Sequence, residues 1–135
     1  PPHALSLGER RRVAIAGVLA CAPDLLVLDE PTANLDPRSR RELAELLADL
    51  PQTQLLVTHD LPFAAELCER AVIIDGGRVA CDGPCRELLG DAELLARHGL
   101  ELPAGCDLDR VALRVPAEHG TARGARASSR AWPDG

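Results

Sequence analysis

LLVLDE, Leu25 to Glu30, runs four apolar residues straight into two adjacent carboxylates, between Pro23 and Pro31. An unbroken apolar run of that length, bounded by prolines, reads as a parallel strand covered on both faces. Asp29 and Glu30 at its exit are out of place in such a core. In an open α/β sheet, ligands sit beyond the carboxyl ends of the strands, so this acid pair emerges where a metal and a base would be needed.

The residues that follow supply the rest of a β-α-β unit. Pro31 to Leu35 read as a loop, and Asp36-Pro37 as the N-cap and first turn of a helix. Leu43, Leu46, Leu47 and Leu50 fall at i, i+3, i+4 and i+7, with Arg40, Arg41, Glu42, Glu45 and Asp49 mostly outside the stripe, so this helix covers the sheet. Gln54 to Thr58, QLLVT, forms a second buried strand reached by the usual right-handed connection. His59 comes directly after it and therefore leaves the sheet at the same edge as Asp29 and Glu30. A histidine there is either a hydrogen-bonded structural residue or a functional one, and position does not separate the two. Asp60 caps the next short helix, with Leu61, Ala64, Ala65 and Cys68 on one side and Glu66, Glu69 and Arg70 facing out.

Upstream, Ser6-Leu7-Gly8-Glu9 spells a capping box at the start of a helix running to about Cys21. Capping explains the spacing, yet the open N–H groups at such a helix start also attract anions, and Gly8 would let a phosphate approach the backbone. Arg10, Arg11 and Arg12 read as a solvated face, and the all-round apolar VAIAGVLACA predicts a helix packed inside the domain. Downstream, Ala71 to Asp75 and Arg78 to Cys81 flank Gly76-Gly77, a hairpin expected to close the sheet edge. Pro84 to Leu89 and Asp91 to Arg97 read as short helices, with Gly99 as a left-handed stop. An ordered domain is expected over residues 1–102, followed by a disordered tail over 103–135 whose last part, Gly120 to Gly135, has no apolar period.

Composition narrows the class. A chain of 135 residues, 46% hydrophobic, builds one core and not two ordinary domains. Fifteen basic against 21 acidic residues leave a net charge of -6, which argues against nucleic acid as a partner. Five cysteines in odd number imply no disulfide framework, and the single C-x3-C pair, Cys81 and Cys85, reads as inert thiols in a reducing cytosol. The longest apolar stretch, Val13 to Ala22, is half a membrane span, and no charged-then-apolar leader precedes it, so the chain is expected to be soluble. The opening Pro1-Pro2 suggests a cut and not a natural start. Every basic residue is arginine; there is no lysine.

Taken together, LSLGE (Leu5 to Glu9), LLVLDEPTANLD (Leu25 to Asp36) and THD (Thr58 to Asp60) resemble the signature, the Walker B strand with its D-loop, and the switch-histidine loop of an ATP-binding-cassette (ABC) ATPase. The order and spacing of the three carry more than any one of them, and the likeness runs from residue 4 to about 83. RRRVAIAGVLA, the DGGRVACDGP hairpin and the closing LLARHGLELP look most like the ATPase subunits of cobalt, nickel or vitamin importers of the energy-coupling-factor type. The resemblance implies an α/β fold, the C-terminal half of a P-loop NTPase cassette: a parallel β-α-β core with a terminal β-hairpin and short C-terminal helices.

It also implies roles. Asp29 would hold Mg²⁺ through water, Glu30 would act as general base, and His59 would sense the γ-phosphate of ATP. Ser6, Gly8, Glu9 and the neighbouring backbone would cover the γ-phosphate held by a second ABC ATPase subunit, and Asp36 would lie at the dimer interface. Transmembrane permease subunits are the further partners implied, with the ATPase itself peripheral on the cytoplasmic face of the membrane. Leu7 replaces the first of the two usual signature glycines, and Glu9 stands where glutamine is common. A P-loop, G-x-x-x-x-G-K-[ST], needs a lysine and so cannot lie in this chain. We therefore expect half of a cassette, which alone neither binds ATP tightly nor hydrolyses it. The alternatives are a non-catalytic remnant that dimerises or binds a partner, and a soluble ABC ATPase of DNA repair, against which the THD context argues.

Overall fold

The computed structural model describes residues Leu5 to Arg114. Helix α1 (Leu7–Leu19) leads into strand β1 (Leu25–Asp29), helix α2 (Pro37–Ala48) and strand β2 (Thr53–Val57). Helix α3 (Leu61–Leu67) follows, then the hairpin strands β3 (Arg70–Asp75) and β4 (Arg78–Pro84), and helices α4 (Cys85–Gly90) and α5 (Ala92–Arg97). The local signals explain the boundaries. Ser6 and Glu9 form both hydrogen bonds of the capping box, Asp36 caps α2 ahead of Pro37, and Asp60 and Asp91 cap α3 and α5. Gly99, at φ +67, ends α5 in the left-handed conformation that only glycine adopts cheaply.

Strands β1 and β2 pair in parallel, with Val27 opposite Leu55 and Asp29 opposite Val57. The helix between them lays Leu43, Ala44 and Leu47 on one face of the pair, where they meet Leu26, Leu28, Ile15 and Phe63. Burying several such side chains, each worth about 1.5–3 kcal/mol, holds this β-α-β unit together. A second core lies under the hairpin, where Leu61, Ala65, Ile73, Cys85, Leu89 and Leu95 meet. Helix α3 joins the two, sending Phe63 into the first core and Leu61 and Ala65 into the second.

Four expectations need correcting. Strand β1 is covered on one face, not two: Leu26 and Leu28 are buried while Leu25, Val27, Leu55 and Val57 are each 50–57% exposed. The described residues provide a helix for one side of the pair and nothing for the other. Helix α1 is not internal; Val13 and Val18 are exposed, and Gly8 and Ile15 are its buried residues. The hairpin does not close the edge of the parallel pair but forms a separate two-stranded antiparallel sheet, with an irregularity between Ile73 and Ile74. Glu66 does not face out: its carboxylate meets Arg40 at 3.6 Å and Arg114 at 2.7 Å.

The stretch expected to be a tail divides in two. Up to Arg114 it packs on the second core through Leu108 and Val111, and the Arg86 guanidinium donates to the carbonyls of Leu108 (2.7 Å) and Val111. Residues 115–135, Gly120 to Gly135 among them, lie outside the described residues.

Candidate functional site

Two turns leave the carboxyl ends of β1 and β2 side by side, and the backbone locks them. The Glu30 amide donates to the Val57 carbonyl at 2.8 Å, extending the ladder by one rung beyond Asp29. Glu30 itself sits at φ +42, a left-handed conformation that costs a residue with a Cβ on the order of 1–3 kcal/mol. Its carbonyl offsets that cost by accepting from the Ala33 amide (3.2 Å) and from Arg11 Nη1 (2.7 Å).

The twist separates the two neighbouring acids. Asp29 keeps the strand's alternation and lies exposed on the same face as Leu25 and Val27, whereas Glu30 turns toward β2. There Glu30 Oε1 accepts from the His59 amide at 3.1 Å and lies 2.8 Å from His59 Nδ1, while Thr58 Oγ1 reaches Oε2 at 3.5 Å. The hydrogen bond and charge of Glu30 raise the His59 imidazole above its ordinary value. His59 is otherwise open, with 79% of its side chain exposed.

Asp60, the next residue, anchors this turn. Arg40 grips its carboxylate with two hydrogen bonds of 2.8 and 3.0 Å, and the same oxygen that takes the Nη2 bond also accepts the Phe63 amide at 3.0 Å. Burial pushes the Asp60 carboxyl up, but the Arg40 and Phe63 bonds, with help from Thr32, outweigh it and hold the group below the usual aspartate range. The Arg40 guanidinium also lies 5.1 Å from the centre of the buried Phe63 ring.

The remaining sequence-predicted residues gather where the starts of α1 and α2 meet. Ser6 and Glu9 exchange hydrogen bonds of 2.8 and 3.2 Å, and the Ser6 contacts hold the Glu9 carboxyl below its ordinary value. Both Asp36 oxygens are engaged, Oδ1 by the amides of Arg38 and Ser39 and Oδ2 by Ser39 Oγ at 2.7 Å. Those Ser39 bonds chiefly lower the Asp36 pKa. Gly8 is buried against this turn: a Cβ built on it would lie 2.7 Å from Ser39 Oγ and 2.9 Å from Ser39 Cβ. A helix–helix contact therefore already requires the glycine.

Glu30 and His59 are thus brought together, Asp29 stands one residue away on the adjoining face, and Ser6, Gly8, Glu9 and Asp36 share a second locus. Arg11 links the two by reaching from α1 to the Glu30 carbonyl. The sequence reading left Arg11 with a solvated basic face, although its place three residues after Gly8 put it on the helix side that packs. Arg12 likewise pairs with Glu42 of α2. Among the described residues no cluster of three or more His, Cys, Asp or Glu is arranged as a metal cage. A single strand-end carboxylate does suit Mg²⁺, which takes one or two protein oxygens and fills its shell with water and phosphate.

Comparison with known proteins agrees with this arrangement. The family described as "AAA domain, putative AbiEii toxin, Type IV TA system" matches residues 1–64. A Streptomyces coelicolor protein named "Putative ABC transporter ATP-binding protein" is 61% identical over 107 residues, 79% of this chain and 41% of that protein. The "Energy-coupling factor transporter ATP-binding protein EcfA" of Carboxydothermus hydrogenoformans is 45% identical over 106 residues, 76% of this chain and 39% of its own length. Among solved structures, cbiO1 from Clostridium perfringens, described as part of the ABC transporter complex cbiONQ, superposes with a TM-score of 0.62 at 39% identity, covering 76% of this chain and 43% of that one. The chain spans about two-fifths of the length of the curated relatives it matches. By sequence and by fold, over about two-fifths of their length, it is similar to the ABC transporter ATP-binding proteins.

Proposed function

We propose that this chain contributes the hydrolytic rim of a transport ATPase of the energy-coupling-factor or cobalt/nickel type. The observation that carries the reading is the 2.8 Å contact between Glu30 and His59 at the ends of two parallel strands, with Asp29 alongside. Glu30 is the base that takes the proton of the attacking water, and His59 is the group that reads the γ-phosphate. As the turns stand, His59 occupies one oxygen of the base. Turning the exposed imidazole toward a phosphate would free Glu30 for water, so nucleotide binding and base release become one movement.

Asp29 would hold Mg²⁺, which when bound would supply charge neutralisation at the phosphates. Ser6, Gly8, Glu9 and the α1 start face a nucleotide carried by a second ABC ATPase subunit, and Asp36 belongs to the interface between the two. Transmembrane permease subunits couple the cycle to import, with the ATPase peripheral on the cytoplasmic face of the membrane. The names of the relatives support a transporter of the energy-coupling-factor type, and a further solved neighbour at 26% identity is described as a "putative metal-chelate type ABC transporter". Cobalt or nickel, free or chelated, is therefore our first cargo and a vitamin the second.

With no lysine to hold the phosphates, the chain by itself turns over no ATP. The test is a chimera in which residues 5–114 replace the matched stretch of the Streptomyces coelicolor relative. Phosphate release should appear in the chimera and be absent from the isolated chain. Glu30→Gln should lower kcat by about 10²–10⁴-fold. A chimera indifferent to Glu30→Gln and His59→Ala would sink the assignment, and a folded but wholly inactive one would favour a non-catalytic partner-binding remnant.

A further inference from the structure

Two half-buried carboxylates flank one guanidinium beside the turn that carries His59. Arg40 gives Asp60 its two short bonds, Nε at 2.8 Å and Nη2 at 3.0 Å, and leaves Nη1 3.6 Å from Glu66. The side chains of Asp60 and Glu66 are only 19% and 15% exposed, so each needs a cation of its own. Glu66 obtains its cation from the far end of the described residues. Arg114 Nε lies 2.7 Å from Glu66 Oε1, and the Arg114 amide donates to the Glu66 carbonyl, also at 2.7 Å. The strap that precedes Arg114 delivers it there: Leu108 and Val111 pack on the second core, and the Arg86 guanidinium ties down their carbonyls.

We propose that Arg114 is a positioning residue for the turn that carries His59, acting through Glu66 and Arg40. By pairing with Glu66 it lets Arg40 commit its fork to Asp60. Asp60 holds the turn at three points: Oδ1 accepts the Phe63 amide, its carbonyl accepts the Ala64 amide, and its own amide donates to Thr58 Oγ1 at 3.0 Å. Thr58 Oγ1 and the His59 amide in turn reach the two oxygens of Glu30. Without the Arg114 side chain, a lone guanidinium faces two carboxylates. Arg40 then swings toward Glu66, the fork on Asp60 opens, and the turn loosens between Thr58 and Phe63. A strap laid on the second core thereby governs a turn in which it has no residue. The bearing of this coupling on hydrolysis rests on the catalytic reading of Glu30 and His59; the coupling itself does not.

Amide hydrogen exchange on the full 135-residue chain, followed by NMR without nucleotide, measures it. Arg114→Ala, at a side chain 37% exposed, should speed exchange at His59 and Phe63 about tenfold or more, while the amides of β1 and β2 keep their rates. Glu66→Gln in that background removes the competing charge, so Arg40 returns to Asp60 and both amides should fall back close to the parent rate. Glu66→Gln alone should leave them as in the parent. Unchanged exchange in Arg114→Ala, an acceleration that extends evenly to β1 and β2, or a double variant as fast as Arg114→Ala would each overturn the proposal. In the chimera with the Streptomyces coelicolor relative, Arg114→Ala should lower kcat about tenfold, with recovery on adding Glu66→Gln. Exchange that responds while kcat does not would remove the turn from catalysis and leave the coupling standing, so the two failures are distinct.

Discussion

Replacing Gly8 by alanine tests whether this signature-like glycine serves the inside of the chain as well as any ligand. The new methyl would meet Ser39 Oγ at 2.7 Å and Ser39 Cβ at 2.9 Å, closer than real contacts allow. Rotating the serine does not solve the problem, because Cβ stays in place and the 2.7 Å bond from Oγ to Asp36 is lost. Overpacking of this kind costs about 1–3 kcal/mol, and the hydroxyl bond to the exposed Asp36 carboxylate adds little beside it. Alanine returns up to about 1 kcal/mol in helix propensity, less so near a helix start. The net is a loss of about 1–2 kcal/mol, or roughly 4–15 °C in Tm for a domain of this size. Thermal and urea unfolding of the full chain followed by circular dichroism measures it. Ser39→Gly removes the obstructing atoms, so Gly8→Ala/Ser39→Gly should be less destabilised than the sum of the single changes by about 1 kcal/mol or more. A Gly8→Ala variant as stable as the parent, or strict additivity, would refute the steric account and leave ligand approach as the reason for the glycine.

Arg40→Ala removes a two-pronged, partly buried contact to Asp60 and a ring contact to Phe63, and should cost about 2–3 kcal/mol; Arg40→Lys should recover less than half of it, since an ammonium cannot reproduce the fork. An alanine variant with an unchanged urea midpoint would contradict the anchoring role. For His59 the sign follows from its raised pKa: the contact with Glu30 contributes fully below pH 6.5 and fades as pH rises through the folded-state value. The Tm difference between the parent and His59→Gln should therefore be larger at pH 6 than at pH 9. Equal differences at the two pH values would show that the pair does not titrate as described.

What could be read from the sequence was whatever short-range chemistry enforces. Capping at Ser6, Asp36, Asp60 and Asp91, the leucine stripe of α2, the Gly76-Gly77 turn and the Gly99 stop all depend on neighbours within a few residues, and each appears as expected. The common exit of Asp29, Glu30 and His59 followed from two parallel strands ending together. The burial of those strands did not follow, because an apolar run shows what could be covered and not what is present to cover it. Phe63 and Arg40 were invisible for a related reason. Phe63 lies off the Leu61, Ala64, Ala65 stripe because α3 serves two cores, and Arg40 sits on the polar side of α2 where only the third dimension brings Asp60 to it.

The adjacent acids show how one backbone angle assigns different work to chemically similar groups. Had β1 continued its alternation through residue 30, Glu30 would have joined Leu26 and Leu28 on the covered face, beneath α2, where an ionised carboxylate without partners is very costly. The left-handed turn at Glu30 avoids that outcome. It swings the side chain across to the β2 exit, where the His59 amide and imidazole and the Thr58 hydroxyl meet its oxygens. The strain is small beside the cost of burying the charge, and Arg11 and the Val57 carbonyl hold the turn in place. Asp29, untouched by the turn, stays on the bare face. Glu30, the proposed base, is therefore positioned by this chain's own hydrogen bonds, whereas Asp29, the proposed metal ligand, stands exposed beside Leu25 and Val27.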